Sequence, residues 1–131
     1  MQVVNKVQQP KQLIRGGIYI VKLPNSGGSI QSKQRPCVLV SNNSCNNFSP
    51  VLHVCPLSSV TTKKKLPTHI MINRGNSGLL KDSIALCEQV MIINKSSVGI
   101  QVGFCSEIDM QRIGKGISIQ FGLTDVRNNI V

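Results

Sequence analysis

The carboxylates of this chain come late. Its first 81 residues hold eleven Lys or Arg and no Asp or Glu, whereas the remaining fifty hold four basic and five acidic residues. Two-metal nucleases and polymerases grip their ions with clustered carboxylates. A chain whose first acid is Asp82 is therefore poorly equipped for divalent-metal phosphoryl transfer. Gly27-Gly28-Ser29 lacks the Gly-Lys spacing of a phosphate-binding loop, and no G-x-S-x-G elbow occurs. The five cysteines (Cys37, Cys45, Cys55, Cys87, Cys105) form no C-x-x-C pair, and with two histidines they offer no zinc-ligand spacing. If such a chain cuts nucleic acid, it does so without a metal, which points at RNA. The 2′-hydroxyl of RNA attacks the adjacent phosphorus and expels the 5′-oxygen. A protein assisting that step must neutralise charge on the phosphorane, accept one proton and donate another. His53 and His69 are two imidazoles for such acid–base work, although a His inside a strand or just after Pro67 is more often structural.

The charge balance points to a polyanionic partner. A net charge of +10, concentrated in the first two-thirds, suits nucleic acid, an acidic protein or an anionic membrane surface. A cationic surface that serves solubility alone is the competing reading. A length of 131 residues fits one domain, and 40% apolar residues agrees with a globular one. Only 3% is aromatic and Trp is absent, so a stacking platform for bases is poorly supplied. No apolar run approaches the roughly 18 to 20 residues of a membrane span. The opening MQVVNKVQQPKQ lacks the apolar stretch of a secretory signal. A cytoplasmic protein with no membrane partner is expected. Cys37, Cys55 and Cys87 sit within apolar runs, where reduced thiols behave as small hydrophobes.

The elements that must position any site are strand-like. Residues 18–23, 37–41, 51–57, 69–72, 83–87 and 90–93 read as short strands, with Pro56 marking an edge or bend and residues 42–49 a polar loop. Strands so closely spaced argue for a small, mostly antiparallel barrel or strongly bent sheet. Near the end, Ser106 and Asp109 form a capping box ahead of Met110, Ile113 and Ile117 at helical spacing. Gly114 and Gly116 each weaken that helix by about 1 kcal/mol relative to Ala. Residues 1–13 read as an N-terminal tail and 14–131 as a single domain.

Several segments carry a family resemblance: Arg15-Gly16-Gly17-Ile18-Tyr19; Gln34-Arg35-Pro36-Cys37-Val38-Leu39-Val40-Ser41-Asn42; Asn47-Phe48-Ser49-Pro50; Lys65-Leu66-Pro67-Thr68-His69; Lys81-Asp82-Ser83; and Cys87-Glu88-Gln89-Val90. In this order and spacing, over roughly residues 14 to 123, the chain resembles the MazF/PemK toxins, metal-independent endoribonucleases that cleave mRNA. The resemblance implies a mostly β (α+β) fold, a small SH3-like antiparallel β-barrel with short helices, as in the CcdB, MazF and PemK toxins. It implies a sequence-selective endoribonuclease that cuts single-stranded RNA to a 2′,3′-cyclic phosphate and a 5′-hydroxyl, with no cofactor and no metal. It also implies a homodimer, a cognate MazE-like antitoxin whose acidic tail crosses the basic groove, and contact with operator DNA only through that antitoxin. The alternative is a non-catalytic toxin-fold module that binds nucleic acid or an antitoxin without cutting. Topoisomerase inhibition, as by the related CcdB toxins, draws no support from Arg35 and Ser58.

Carried over residue by residue, the resemblance makes Arg35 and Ser58 catalytic. Arg35, restrained beside Pro36, offers a planar fork for the scissile phosphate and stays protonated, so it suits phosphorane stabilisation rather than base catalysis. Ser58 stands where the family usually has Thr; it keeps the hydroxyl and loses the methyl that stiffens χ1. Ser59 is the rival if the loop register shifts by one. Gln89 is the expected base reader and Glu88 its structural neighbour; on a strand the two would face opposite ways. Asn42, Ser29, Gln31 and Lys64 are further substrate-binding candidates, and His69 is a scaffold element near the site. The general base is unassigned. Gly17, Ile30 and Asn43 stand where acids are common in the family, and Met91 where Arg is common. Losing the three acids raises the positive potential of the active face, Met91 bears on dimer packing or base reading, and together the departures leave any transferred cleavage motif open.

Overall fold

In the computed structural model, which describes residues 12–25, 27–61 and 65–125, the apolar runs become antiparallel strands. They are β1 (Gly17–Leu23), β2 (Lys33–Leu39), β3 (Val51–Ser58), β4 (His69–Ile72), β5 (Ser83–Leu86), β6 (Met91–Asn94) and β7 (Val98–Phe104). Among the described residues three helices accompany them: α1 (Asn43–Phe48), α2 (Arg74–Ser77) and α3 (Glu107–Gln120), with single 3-10 turns at Cys87–Gln89 and Lys95–Ser97. The sheet runs β4-β5-β3-β2-β1-β7, and β6 also pairs with β3. Strand β3 serves two partners along one edge: Val51 to Val54 pair with β6, then Leu57 and Ser58 pair with β5. Pro56 falls at the changeover, where its missing N–H costs the ladder least. The bend delivers Ser58 to the end of the sheet where β2 begins.

Period-two alternation buries both faces of the sheet. Ile18, Val38, Cys55, Leu57, Ile70 and Ile72 pack against Met110 and Ile113 of α3 on one side. Tyr19, Val21, Cys37, Leu39, Leu52 and Val54 form a second cluster on the other, which Leu13 joins. Leu13 belongs to the segment read as a tail; residues 1–11 of that segment lie outside the described residues.

Helix α3 starts as its sequence dictates, with Ser106 Oγ accepting the Asp109 N–H at 3.1 Å. The other half of the box is diverted, because the Asp109 carboxylate accepts from Arg112 at 3.0 Å. The two helix glycines are not alike. A Cβ at Gly116 would lie 2.9 Å from Cys87 Sγ, whereas one at Gly114 would meet nothing within 4 Å. Gly116 therefore lets α3 close on the 3-10 turn that carries Glu88 and Gln89. Gly114→Ala is expected to stabilise the protein by about 1 kcal/mol through helix propensity, and Gly116→Ala to destabilise it by overpacking, by roughly 1–3 kcal/mol. Urea denaturation of the two variants checks the opposite signs.

Helix α1 and strand β7 differ from the sequence reading, as does the single-turn helix α2. The polar stretch after β2 contains helix α1, capped by Asn42, whose Oδ1 accepts the Cys45 N–H at 2.8 Å. Asn and Ser suit both a turn and a short capped helix, and buried Asn46 decides the matter by accepting from Ser41 Oγ at 2.6 Å and donating to the Ser41 carbonyl at 2.9 Å. Strand β7 was not expected, since Gly99 and Gly103 interrupt its apolar pattern. Both are needed for close approach: a Cβ at Gly99 would sit 3.1 Å from the Ile20 carbonyl oxygen, and one at Gly103 would run into that of Ser77.

All five cysteines are free thiols, four of them buried. Burial pushes Cys37 and Cys105 each up to about 12 from 9.0, and raises Cys55 further through its hydrogen bond with Cys87 and its burial. The folded state thus holds these protons more tightly than the unfolded chain. That stabilisation is complete below about pH 9 and is lost as pH rises toward 12. The urea midpoint is expected to fall steadily above pH 9, and iodoacetamide at pH 8 to label half-buried Cys45 well before the others.

Candidate active site

The loop between β1 and β2, the head of β2, the end of β3 and the 3-10 turn after β5 meet around a cavity of about 470 Å³. Ile84 and Leu86 of β5, both buried, contribute an apolar floor.

Arg35 enters from the third position of β2, half-buried, and its Nε–H donates to the Ser32 carbonyl at 3.1 Å. Lys33 makes the connecting turn with φ at 66°, a left-handed conformation that costs a residue with a Cβ roughly 1–2 kcal/mol. Anchored through Nε, the guanidinium keeps both terminal nitrogens unengaged among the described residues. Ser58 lines the same cavity; its Oγ accepts the Val60 N–H at 3.2 Å, which leaves the hydroxyl proton to donate. Ser59 instead borders a separate apolar groove with Ile20, Pro36 and Leu80.

Glu88 and Gln89 both reach the cavity. The strand argument that set them on opposite faces does not apply, because Cys87–Gln89 is a 3-10 turn whose consecutive side chains differ by about 120°. The Glu88 carboxylate accepts from Thr68 Oγ1 at 3.0 Å and from His69 Nε2 at 2.8 Å. His69 Nδ1 accepts the Leu66 N–H at 3.2 Å, so the ring proton sits on Nε2 and points at Glu88. This network ties the end of the basic loop to the turn. Gln89 reaches across the cavity: its Oε1 accepts the Gln31 N–H at 2.8 Å and its Nε2 donates to the Ser29 carbonyl at 3.1 Å.

Ser29 and Gln31 therefore line the cavity with Arg35, Ser58, His69, Glu88 and Gln89. The Gln31 Oε1 is buried and has no hydrogen-bond partner among the described residues, a condition that costs roughly 1–3 kcal/mol. Asn42 is not among the lining residues and is engaged as the α1 cap. His53, exposed on β3 opposite Ile92, is not brought to His69. Lys63 and Lys64 lie outside the described residues. Val60 and Ser32 also line the cavity; sequence reading missed both, and nearness to Ser58 and Arg35 was the one signal for them. Among the described residues, no group of three or more His, Cys, Asp or Glu side chains is placed to hold a metal ion. Among the described residues, Glu88 is the one carboxylate and Arg35 the one guanidinium lining this cavity.

The model of PemK-like, MazF-like toxins of type II toxin–antitoxin systems matches residues 14–121. The chain belongs to this family. Endoribonuclease MazF of Staphylococcus saprophyticus is 31% identical over 115 residues, covering 88% of this chain and 96% of that protein. Among solved structures, MazF from Deinococcus radiodurans superposes with a TM-score of 0.72 at 15% identity, covering 86% of this chain and 99% of its own. A mycobacterial endoribonuclease in complex with its cognate antitoxin gives a TM-score of 0.67 at 18% identity, with coverage of 88% and 98%. The bent antiparallel sheet with α3 against it is thus the MazF toxin fold, as the sequence resemblance implied. Among the described residues no helix is long and apolar enough to cross a membrane.

Proposed function

We propose that this protein is a toxin endoribonuclease that cuts single-stranded RNA by attack of the 2′-hydroxyl, giving a 2′,3′-cyclic phosphate and a 5′-hydroxyl. One observation carries the reading: Arg35 and Ser58, whose terminal nitrogens and hydroxyl proton are unengaged among the described residues, line one cavity in a member of a toxin family whose relatives include an endoribonuclease. The fork of Arg35 takes two phosphate oxygens and strengthens its hold as charge builds on the phosphorane. Ser58 donates to a non-bridging oxygen or orients the 2′-hydroxyl. His69 does not take the 2′ proton, because its Nδ1 lone pair is occupied by Leu66 and its Nε2 proton faces Glu88. Chemistry without a metal suits a cavity whose carboxylate, Glu88, is already held by Thr68 and His69.

The protein acts as a homodimer in the cytoplasm. A cognate antitoxin with an acidic segment neutralises it by covering the same basic groove, and operator DNA is reached through that antitoxin. The complex of the mycobacterial relative with its antitoxin and the net charge of +10 support this partner. The test is incubation of a long, poorly structured RNA with the protein in excess EDTA. Discrete fragments are expected, and they should disappear when antitoxin is added. Intact RNA with a folded protein would leave the non-catalytic binding module as the function.

A further inference from the structure

Gln89, the residue the family resemblance makes a base reader, has both ends of its carboxamide held by protein. Its oxygen accepts the Gln31 N–H and its nitrogen donates to the Ser29 carbonyl, the same donor–acceptor pair a base edge would require. Those partners fix its orientation, since a reversed amide would set donor against donor and acceptor against acceptor. Gln89 thereby fastens the β1–β2 loop to the turn after β5. The fastened loop holds Gln31 in the opposite condition: it lines the cavity beside Arg35 and Ser58, and its Oε1 is buried without a partner among the described residues. Buried acceptors left unpaired are rare in native proteins and call for a reason.

The chemistry nearby supplies one. Nucleobases differ in where their edges place N–H donors, and unstacked RNA bases are read at those edges. Ile30 and Val60 line the cavity with 55% and 50% of their surface exposed, so a flat base can lie against aliphatic faces. Aromatic residues do not take that part: Tyr19 is buried in the core, and Phe48, Phe104 and Phe121 are absent from the cavity lining.

We propose that Gln31 reads a nucleobase beside the scissile phosphate, its side-chain oxygen accepting a base N–H between Ile30 and Val60, and that Gln89 is a positioning residue that latches the loop. The inference rests on the RNA-binding part of the proposed function and not on cleavage. It is therefore tested with 2′-O-methyl heptanucleotides, which lack the nucleophile, in a panel that varies one base at a time. Wild type is expected to favour one base at one position by about tenfold, the size of a single good polar discrimination of about 1.4 kcal/mol. Gln31→Met should cut that preference to about twofold or less, leave other positions unchanged, and melt no lower than wild type because the unpaired acceptor is gone. Gln89→Ala should weaken every heptanucleotide by a similar factor and speed hydrogen exchange at the Gln31 amide. Survival of the full preference in Gln31→Met, or its loss in Gln89→Ala alone, would overturn the assignment. If Gln31→Met keeps the preference while wild type still cuts RNA, the assignment fails and the ribonuclease stands. If wild type neither binds nor cuts, the functional reading fails with it.

Discussion

Arg35→Ala is expected to slow RNA cleavage about a thousandfold, the upper range for removing one preorganised donor from a developing oxyanion. Arg35 combines an anchor and a reactive end: Nε is fixed on the Ser32 carbonyl at 3.1 Å, and the terminal nitrogens remain for phosphate. Arg35→Lys should rescue it only in part, because one ammonium cannot hold Ser32 and span two phosphate oxygens. A loss of about a hundredfold is expected for Lys from the same principle of lost bidentate geometry. Single-turnover cleavage of a fluorogenic oligonucleotide, with thermal melting of each variant, measures both. Melting temperatures should change little, since Arg35 makes no ion pair among the described residues. Wild-type rates in Arg35→Ala would remove Arg35 from the chemistry.

Ser58→Ala should cost about ten- to a hundredfold in the same assay, the worth of one hydrogen bond lost in the transition state at 1.4 kcal/mol per decade. The informative companion is Ser58→Thr. It keeps the hydroxyl and restores the methyl that restricts χ1, so activity at or above wild type is expected. Ser59→Ala should leave the rate alone, because Ser59 borders the separate groove with Ile20 and Leu80. Equal losses in Ser58→Ala and Ser59→Ala would point to disturbance of the loop rather than to a hydroxyl.

Most of the sheet was legible because β-branched runs with turn residues between them admit few other readings. Strand β7 was hidden by Gly99 and Gly103, whose reason lies in distant backbone, the carbonyls of Ile20 and Ser77. Helix α1 was hidden because Asn and Ser advertise turns and caps alike. At the site, the family resemblance nominated Arg35 and Ser58, and both line one cavity. The arrangement around them could not be read from the sequence. Glu88 and Gln89, between the runs read as strands, were expected on opposite faces, yet Cys87–Gln89 is a 3-10 turn that packs against Gly116 and brings both to one cavity. The bridge from Gln89 to Ser29 and Gln31 spans about sixty residues, and no local pattern encodes it.

The most direct test of the account blocks the nucleophile at one position. An oligonucleotide cut by the protein in EDTA is resynthesised with a single 2′-O-methyl group on the residue 5′ to the cut, and the products of the unmodified strand are analysed by mass. The account requires a 2′,3′-cyclic phosphate and a 5′-hydroxyl from the unmodified strand and no cut at the methylated residue. Cleavage there at an undiminished rate, or products ending in a 5′-phosphate, would contradict attack by the 2′-hydroxyl and the roles given to Arg35 and Ser58.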